Sequence, residues 1–295
     1  MKGLIATGFF RTGSTFIFSC LRQIERFRCY YEPYHPELLD FVNDSGENAA
    51  PDKLNLGHSL FDDYYSEFYE LDLNVLSNCY ASIKRDTNHP ILFANSEHES
   101  LKKYIELLRD DAVNNGKIPV YQPNRFNFML PWLKSEYPDF YLVLITRNPA
   151  SIFYSLQSLA SKAGLTLTPD ERSVDFWNVG EIFKILIGVF SGNYAGRLDF
   201  GYYQKLYFII KFIEFYAGKY ADLVIDYDEF SDNYPVLLKN IGIALDVNMD
   251  TSVKYVKNNL KITPAKPTSN ELLCLEKEVV PLLNFVKVNC ALNGC

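Results

Sequence analysis

Short runs of almost unbroken apolar residues recur along the chain and alternate with segments of helical periodicity. The apolar runs lie at residues 3–9, 90–95, 118–122, 140–147 and 222–227. A half-exposed strand alternates apolar and polar residues, whereas an unbroken run is typical of a strand buried on both faces of a parallel sheet. The five runs therefore predict five strands of a central parallel sheet.

Helical patterns fill the intervals between the predicted strands. Proline, glycine and the spacing of apolar residues indicate helices at residues 96–116, 124–139 (interrupted or started at Pro131), 149–164 and 202–222. Because strands and helices alternate, the pattern predicts an α/β fold with helices flanking the sheet. We expect one domain over residues 1–295, with a helical insertion at about 160–220 and a C-terminal helical segment at about 250–290.

Composition and charge narrow the classes of function. The 295 residues include 29 Lys and Arg against 36 Asp and Glu, which gives a net charge of −7. This balance argues against a nucleic-acid partner, because nucleic acids bind basic faces. Cysteines are sparse and form no CxxC pair, which favours reduced thiols and no metal site.

The hydropathy pattern bears on whether the protein has a leader or a membrane-spanning segment. The sequence has no leader-like pattern and no apolar run of about 18 residues, so we expect a cytoplasmic protein without a transmembrane segment. The apolar segments at residues 182–190 and 207–217 are short and interrupted by Lys or Glu. They favour packing in a core, and a peripheral membrane contact stays open for them.

The first predicted strand runs into a glycine-containing turn, GFFRTGST at residues 8–15, which precedes a helical segment. A strand, a turn and a helix in this order direct backbone N–H groups and a helix N-terminus at an anion. Gly8 and Gly13 match the phosphate loop (P-loop) pattern, GxxxxGK followed by Ser or Thr, but Ser14 replaces the lysine and Arg11 is the cation of the loop. The fold is therefore predicted to be of the P-loop type.

The missing lysine bears on the donor that this loop would bind. Phosphoryl transfer from ATP uses that lysine and Mg²⁺ around a highly charged triphosphate. A donor with fewer negative charges at its reacting end, such as a sulfuryl donor, can be held by amides, hydroxyls and one arginine. The alternative interpretation is a glycine-containing turn with an incidental arginine.

A second anion-binding pattern follows the predicted strand at residues 140–147. Arg147 ends this strand, Asn148 and Pro149 can begin a helix with Asn148 as its cap, and Ser151 and Ser155 follow at four-residue steps. Helical spacing places both serines on one face beside the arginine. The carboxyl edge of the sheet is where open α/β proteins bind ligands. Taken alone, this segment is explained better by an ordinary polar helix.

The two patterns together resemble the sulfotransferases that use 3′-phosphoadenosine 5′-phosphosulfate (PAPS). In that superfamily the first loop binds the 5′-phosphosulfate, and the Arg of an RxP segment and a Ser eight residues later bind the 3′-phosphate. The chain matches with RTGST (11–15) and RNPASIFYS (147–155). The resemblance implies PAPS as donor without a metal, with the 5′ end on Arg11, Thr12, Gly13, Ser14 and Thr15, and the 3′-phosphate on Arg147 and Ser155.

Further segments refine this resemblance. The segments YPDFYLVLITRNP (137–149) and LVIDYDEF (223–230) are similar to conserved segments of the same enzymes. The glycine-rich C-terminal signature of phenol and steroid sulfotransferases is absent, and YYEPYHPE (30–37) resembles a segment of carbohydrate sulfotransferases. Residues 261–271, with Lys261 and Lys266, could replace the absent C-terminal signature near the nucleotide.

The acceptor hydroxyl must lose its proton as the new S–O bond forms, and a carboxylate or a neutral histidine can accept it. Glu32 is the first candidate for this catalytic base, because its segment follows the first helix and is expected to return toward the phosphate loop. His35 is the second candidate. Either residue could instead be structural, with Glu32 capping a turn at Pro33 and His35 on the surface. Arg11 is expected to stabilise charge on the departing phosphate.

We therefore expect a PAPS-dependent sulfotransferase that sulfates a hydroxyl of a saccharide or glycolipid. Its partners would be a small-molecule donor nucleotide and a saccharide acceptor, with a neutral acceptor favoured by the negative charge of the chain. Two alternatives stay open. One is a kinase with a degenerate phosphate loop, and the other is a non-catalytic protein that binds a nucleotide or a glycan.

Overall fold

The structure is a computed structural model that describes residues 2–43, 64–86, 91–192, 194–196, 198–230, 234–249 and 266–292. The chain divides into two compact units. The first comprises Met1–Ile145 and Tyr220–Thr263, and the second comprises Thr146–Lys219 and Pro264–Cys295. The organisation of residues 1–295 as one domain stays a prediction.

The first unit is built around a five-stranded parallel sheet. Its strands, numbered along the chain, are β1 (Gly3–Gly8), β2 (Phe27–Tyr31), β3 (Ile118–Gln122), β4 (Phe140–Thr146) and β5 (Leu223–Asp226). Their order in the sheet is β2-β3-β1-β4-β5, so that β1 is central. Leu4 of β1 lies opposite Val120 of β3 on one side and Tyr141 of β4 on the other. All residues of β1 are buried, which explains its unbroken apolar run.

The helices of the first unit pack on this sheet and on each other. Numbered in chain order, they are α1 (Ser14–Arg22), α2 (Leu38–Asn43), α3 (Ser66–Tyr69), α4 (Leu73–Asp86), α5 (Glu99–Asn114), α6 (Leu130–Glu136), α10 (Tyr227–Phe230) and α11 (Tyr234–Leu245). Both α1 and α5 lie against strands of the sheet, and α4 packs on α5. The predicted fold class, a central parallel sheet flanked by helices, is confirmed.

In the described part of the second unit, the regular secondary structure is helical. The helices are α7 (Pro149–Lys162), α8 (Val179–Phe190), α9 (Tyr202–Tyr216) and α12 (Asn270–Leu292), together with two short 3₁₀ turns. Helix α9 packs against the other three. The ring centre of Phe208 lies 5.3 Å from that of Phe183 and 6.1 Å from that of Phe212, and all three rings are buried. The aromatic side chains of α8 and α9 therefore form a core.

A helix that crosses a membrane needs about 20 predominantly apolar residues. No helix, within the part of the chain that the structure describes, is both long and apolar enough to cross a bilayer.

The strand predicted at residues 90–95 is wrong over its described part. Residues 91–95 form an irregular segment and a turn, in which Asn95 has a φ of 64°. Leu92 is buried and donates its N–H to the carbonyl oxygen of Phe128 (3.1 Å), whereas the side chain of Phe93 is 38 % exposed. The apolar residues of this segment thus anchor a loop instead of a strand.

The fifth strand of the sheet is β2, which the sequence pattern did not predict. Its second residue, Arg28, interrupts the apolar run and is nevertheless buried. The guanidinium contacts Glu70 (2.9 Å), Asp111 and the carbonyl oxygen of Glu67 (3.1 Å). A buried charge is tolerated when it is paired and hydrogen-bonded, and the partners of Arg28 come from helices distant in sequence.

The predicted helix at residues 124–139 is shorter than expected. Helix α6 begins at Leu130, with Pro131 in its first turn, so that Pro131 starts the helix and does not interrupt it. Residues 123–129 form a turn that follows β3 directly. This turn contributes to the site described below.

The ion pair of Arg28 provides a test of stability. Asp111→Ala removes the carboxylate from a buried guanidinium, so we expect the free energy of unfolding in urea to fall by about 3 kcal/mol. Asp110→Ala, at the exposed neighbouring position of α5, should change it by less than about 0.5 kcal/mol. Equal losses in the two variants would contradict a stabilising role for the pair.

Candidate functional site

The loop between β1 and α1 has the strand–turn–helix geometry that the sequence predicts. Gly13 precedes α1 with a φ of 90°, and a Cβ there would lie 2.2 Å from ring atoms of Tyr227, so that only glycine fits. Arg11 also has a left-handed φ, 68°, which is uncommon for a residue with a side chain. The first N–H groups of α1 lack intrahelical acceptors and can bind an oxyanion.

The hydroxyl groups of the loop hold its shape. Thr12 Oγ1 donates to a carbonyl oxygen within the loop (2.7 Å), and Ser14 Oγ donates to Asn124 Oδ1 (2.8 Å). Thr15 Oγ1 lies 3.2 Å from the hydroxyl of Tyr31. The backbone N–H groups and the partly exposed Arg11 are therefore the candidate anion donors of this loop.

The turn after β3 connects this loop to Glu32. Because β3 lies between β1 and β2, the residues that follow these three parallel strands share one edge of the sheet. Asn124 donates its backbone N–H to Glu32 Oε2 (3.2 Å) and its side-chain amide to Glu32 Oε1. Its Oδ1 accepts from Ser14 Oγ and from Gln122 Nε2 (3.0 Å). Two side-chain hydrogen bonds thus join Glu32 to the phosphate loop.

The carboxyl group of Glu32 is 5 % exposed and titrates near neutral pH. Burial raises its pKa from 4.5 to about 7, and the charge of Arg125 and the hydrogen bond from the Asn124 N–H oppose this rise. A proton acceptor works best when its pKa lies near the operating pH. The environment of Glu32 is therefore suited to proton transfer.

Arg125 lies next to Glu32 and to the loop. Its Nη1 is 3.8 Å from Glu32 Oε2, and its guanidinium lies over the ring of Phe10, 5.4 Å from the ring centre. This Nη1 is buried and has no hydrogen-bond acceptor in the described ranges. A buried donor without an acceptor costs about 1–3 kcal/mol, which a ligand oxygen at this position would relieve.

His35 has a different environment, although it is close in sequence. Its Nδ1 accepts the backbone N–H of Glu37 (3.2 Å). Burial, together with the nearby charge of Arg125, lowers its pKa to about 4. An imidazole with so low a proton affinity is a weaker base than a carboxylate that titrates near 7. Of these two side chains, Glu32 therefore has the proton affinity better suited to accepting a proton near neutral pH.

The second predicted anion site belongs to the second unit. Asn148 Oδ1 accepts from the N–H groups of Ala150 (2.8 Å) and Ser151 (3.4 Å), which confirms it as the cap of α7. Ser151 and Ser155 lie one turn apart on this helix, directly after the buried Arg147.

Ser151 also binds the segment that precedes α12. Its Oγ accepts the backbone N–H of Lys266 (3.0 Å), and Lys266 Nζ lies 5.2 Å from the ring centre of Tyr154. Lys261, which the sequence also suggested near the nucleotide, lies outside the described residues. The backbone contact at Ser151 places residue 266 against the serine face of α7.

Metal ions are commonly held in proteins by clusters of His, Cys, Asp and Glu side chains. Across the described ranges, no group of three or more His, Cys, Asp or Glu side chains is arranged to hold a metal ion.

The sequence pattern does not indicate Asn124 and Arg125 as site residues, because residues 124–139 predict a helix that is interrupted or started at Pro131. The available signal was their position directly after the predicted strand at residues 118–122. The carboxyl ends of parallel strands meet at one edge, so polar residues there are candidates for a site. The order of the strands was needed to show that β3 is the neighbour of β1.

The raised pKa of Glu32 predicts how stability depends on pH. A group whose pKa is higher in the fold than in the unfolded chain lowers stability as it ionises, here as pH rises from 4.5 to about 7. Glutamine cannot ionise, so Glu32→Gln should gain stability relative to wild type as pH rises. We expect the difference in unfolding free energy between the variant and wild type to increase by about 3 kcal/mol between pH 4.5 and pH 8, measured by urea unfolding. Glu25→Gln, at an exposed position, is the control. A difference independent of pH would contradict the raised pKa.

No profile of a known protein family matches the chain, and a search among curated proteins finds no significant match. Among solved structures, a sulfotransferase from Alicyclobacillus acidocaldarius is similar, with 13% identity, 98% of this chain and 95% of that chain covered, and a TM-score of 0.46. A sulfotransferase from Mycobacterium tuberculosis has 12% identity, coverage of 95% and 76%, and a TM-score of 0.47. One from Mycobacterium avium has 14% identity, coverage of 96% and 76%, and a TM-score of 0.49. Identities and scores this low leave the chemistry to be decided by the residues of the site.

Proposed function

We propose that the protein is a sulfotransferase that transfers the sulfuryl group of PAPS to an acceptor hydroxyl. The observation that carries this proposal is a buried carboxyl group of raised pKa, Glu32, joined through Asn124 to a phosphate loop that lacks the kinase lysine. The loop provides a place for the charged end of a donor. The carboxyl group provides a base beside it.

The donor is proposed to bind in the way that the sequence motifs suggest. The 5′-phosphosulfate would accept hydrogen bonds from the N–H groups of residues 13–15 and from Arg11, whereas the N–H of Thr12 donates to the carbonyl oxygen of Phe9 (3.3 Å) and holds the shape of the loop. The 3′-phosphate would bind Arg147 and Ser155, on the strength of the spacing in RNPASIFYS. A sulfonate carries less negative charge than a terminal phosphate, so that this set of donors suffices without a lysine or a metal ion.

The proposed reaction is an in-line displacement at sulfur. The acceptor oxygen forms a bond to sulfur while the bond between sulfur and the 5′-phosphate oxygen breaks. The acceptor proton passes to a carboxylate oxygen of Glu32, and Arg11 stabilises the negative charge that develops on the departing phosphate. Arg125 supports the ionised form of Glu32, because its guanidinium is 3.8 Å from Oε2.

The acceptor is proposed to be a hydroxyl of a saccharide or glycolipid, since residues 30–37 resemble a segment of carbohydrate sulfotransferases. A cytoplasmic location belongs to the same proposal. A degenerate kinase is disfavoured by Ser14 at the lysine position. A non-catalytic binder would have no need of a base at Glu32.

Nucleotide binding tests the proposed donor. We expect 3′-phosphoadenosine 5′-phosphate to raise the thermal stability of the protein, by about 2.7 kcal/mol at a hundredfold excess over its Kd. Arg147→Ala and Ser155→Ala should weaken this response, while the smaller response to 5′-AMP stays unchanged. Stabilisation by ADP with Mg²⁺ equal to that by the bisphosphate would favour the kinase instead.

Turnover tests the base. With ³⁵S-labelled PAPS and a panel of saccharides and glycolipids, Glu32→Gln should lower kcat by about 10²–10⁴-fold without weakening nucleotide binding. Wild-type activity should rise with pH through about 7, because Glu32 must be ionised to accept the proton. His35→Asn is the matched comparison and should retain most activity. Full activity of Glu32→Gln would refute the assignment.

A further inference from the structure

Asn124 contacts the candidate base with one end of its side chain and the phosphate loop with the other. Its backbone N–H and side-chain amide donate to the two carboxylate oxygens of Glu32, and its Oδ1 accepts the hydroxyl of Ser14. We propose that Asn124 is a positioning residue that fixes the Glu32 carboxylate and couples it to the phosphate loop. This inference deepens the proposed function and rests on it for the role of Glu32 as base.

The orientation of the Asn124 amide follows from the chemistry of its neighbours. An ionised carboxylate accepts hydrogen bonds and cannot donate them, so the NH₂ group of Asn124 must face Glu32. The oxygen Oδ1 then faces Ser14 Oγ and Gln122 Nε2, both of which have hydrogens to donate. The reversed amide would place two acceptors against each other. The ionised form of Glu32 thus selects this one arrangement.

The same turn also holds the backbone of Glu32. The N–H of Glu32 donates to the carbonyl oxygen of Gln122 (2.9 Å), and Glu32 has a left-handed φ of 40°. The terminal torsion of a free glutamate is soft, with a broad distribution. Two donors from Asn124, one for each carboxylate oxygen, restrict this torsion. The base is therefore held in one orientation before any substrate binds.

The coupling to the loop depends on the hydroxyl of Ser14, which has a single hydrogen. Ser14 Oγ donates it to Asn124 Oδ1 (2.8 Å), and this bond polarises the amide whose NH₂ group contacts Glu32. An oxyanion on the loop that takes the hydrogen of Ser14 weakens this polarisation. The proton affinity of Glu32 then responds to occupation of the loop.

Other titratable and charged groups face Glu32 and must be kept constant in a test. Arg125 is its ion-pair partner, and the imidazole and phenol groups whose charge interacts with Glu32 or with Arg125 are those of His35, Tyr31, Tyr65 and Tyr80. None of them is altered by a substitution at Asn124 or Ser14. In variants that add no charge, such as Ser14→Ala and Asn124→Ser, a change in the titration of Glu32 therefore reports the hydrogen-bond chain itself, whereas Asn124→Asp adds the repulsion of a second carboxylate.

The first test is the titration of Glu32 by NMR of ¹³C-labelled glutamate carboxyl groups, assigned with Glu32→Gln. Asn124→Asp keeps the shape and the acceptor for Ser14 but replaces the donor that faces Glu32 with a carboxylate. We expect it to raise the pKa of Glu32 by about one unit or more, a tenfold change in proton affinity. Asn78→Asp, the same change at an exposed position of α4, should leave the titration unchanged. An unchanged titration in folded Asn124→Asp overturns the proposal.

The second test separates the two ends of Asn124. Ser14→Ala leaves the contacts between Asn124 and Glu32 in place and removes the polarising hydroxyl. We expect a smaller rise in the pKa of Glu32, and no rise would overturn the coupling to the loop. Should Asn124→Asp fail to fold, Asn124→Ser takes its place. It removes the amide donor without adding a charge, so we expect a smaller rise, and no rise would overturn the proposal.

The third test uses turnover with PAPS. Asn124→Asp should lower kcat with the KM for PAPS nearly unchanged and should move the rising limb of the pH profile upward by the same amount as the titration. A residue with only a structural role would lower stability without moving the pH profile, and that result would contradict the proposal. The titration needs neither donor nor acceptor. A failure of the proposed function, seen as no response to the bisphosphate, is therefore distinguishable from a failure of this inference.

Discussion

Parallel pairing of three strands is the constraint on which the candidate site depends. Because β1, β2 and β3 run in the same direction, the phosphate loop, Glu32 and Asn124 all lie beyond the carboxyl ends of adjacent strands. The order β2-β3-β1 places the turn after β3 between the other two segments. Hydrogen bonds from Asn124 to both Glu32 and Ser14 follow from that central position.

The chemistry of the site results from the cost of burying charge. A carboxyl group at 5 % exposure prefers its neutral form, and the charge of Arg125 and the hydrogen bonds from Asn124 oppose this effect, so that Glu32 can ionise near neutral pH. Burial and the charge of Arg125 lower the pKa of His35 to about 4, which leaves its imidazole a weak base. Burial thus shifts the pKa values of Glu32 and His35, three residues apart, in opposite directions.

The helical unit follows simpler rules. Its aromatic side chains pack against one another along α8 and α9, and their burial accounts for part of the high aromatic content of the chain. The polar features of this unit are concentrated at the start of α7. There Asn148 caps the helix and Ser151 binds the backbone of residue 266. Local capping chemistry was readable from RNPAS alone, whereas the contact with residue 266 was not.

What the sequence determined by itself was local. Four apolar runs predicted β1, β3, β4 and β5. Burial on both faces explains the continuous runs of β1, β3 and β4, whereas in the edge strand β5 Ile225 is buried and Val224 is exposed. Gly13 and Asn148 specified their turn and cap, because each acts on backbone groups within a few residues. Only the tertiary structure decided that β2 is a strand, since the charge of Arg28 in its apolar run is compensated by residues far along the chain. It also decided the partner of Glu32, because Asn124 is 92 residues away. Strand order creates that contact, and no periodicity in the sequence encodes it.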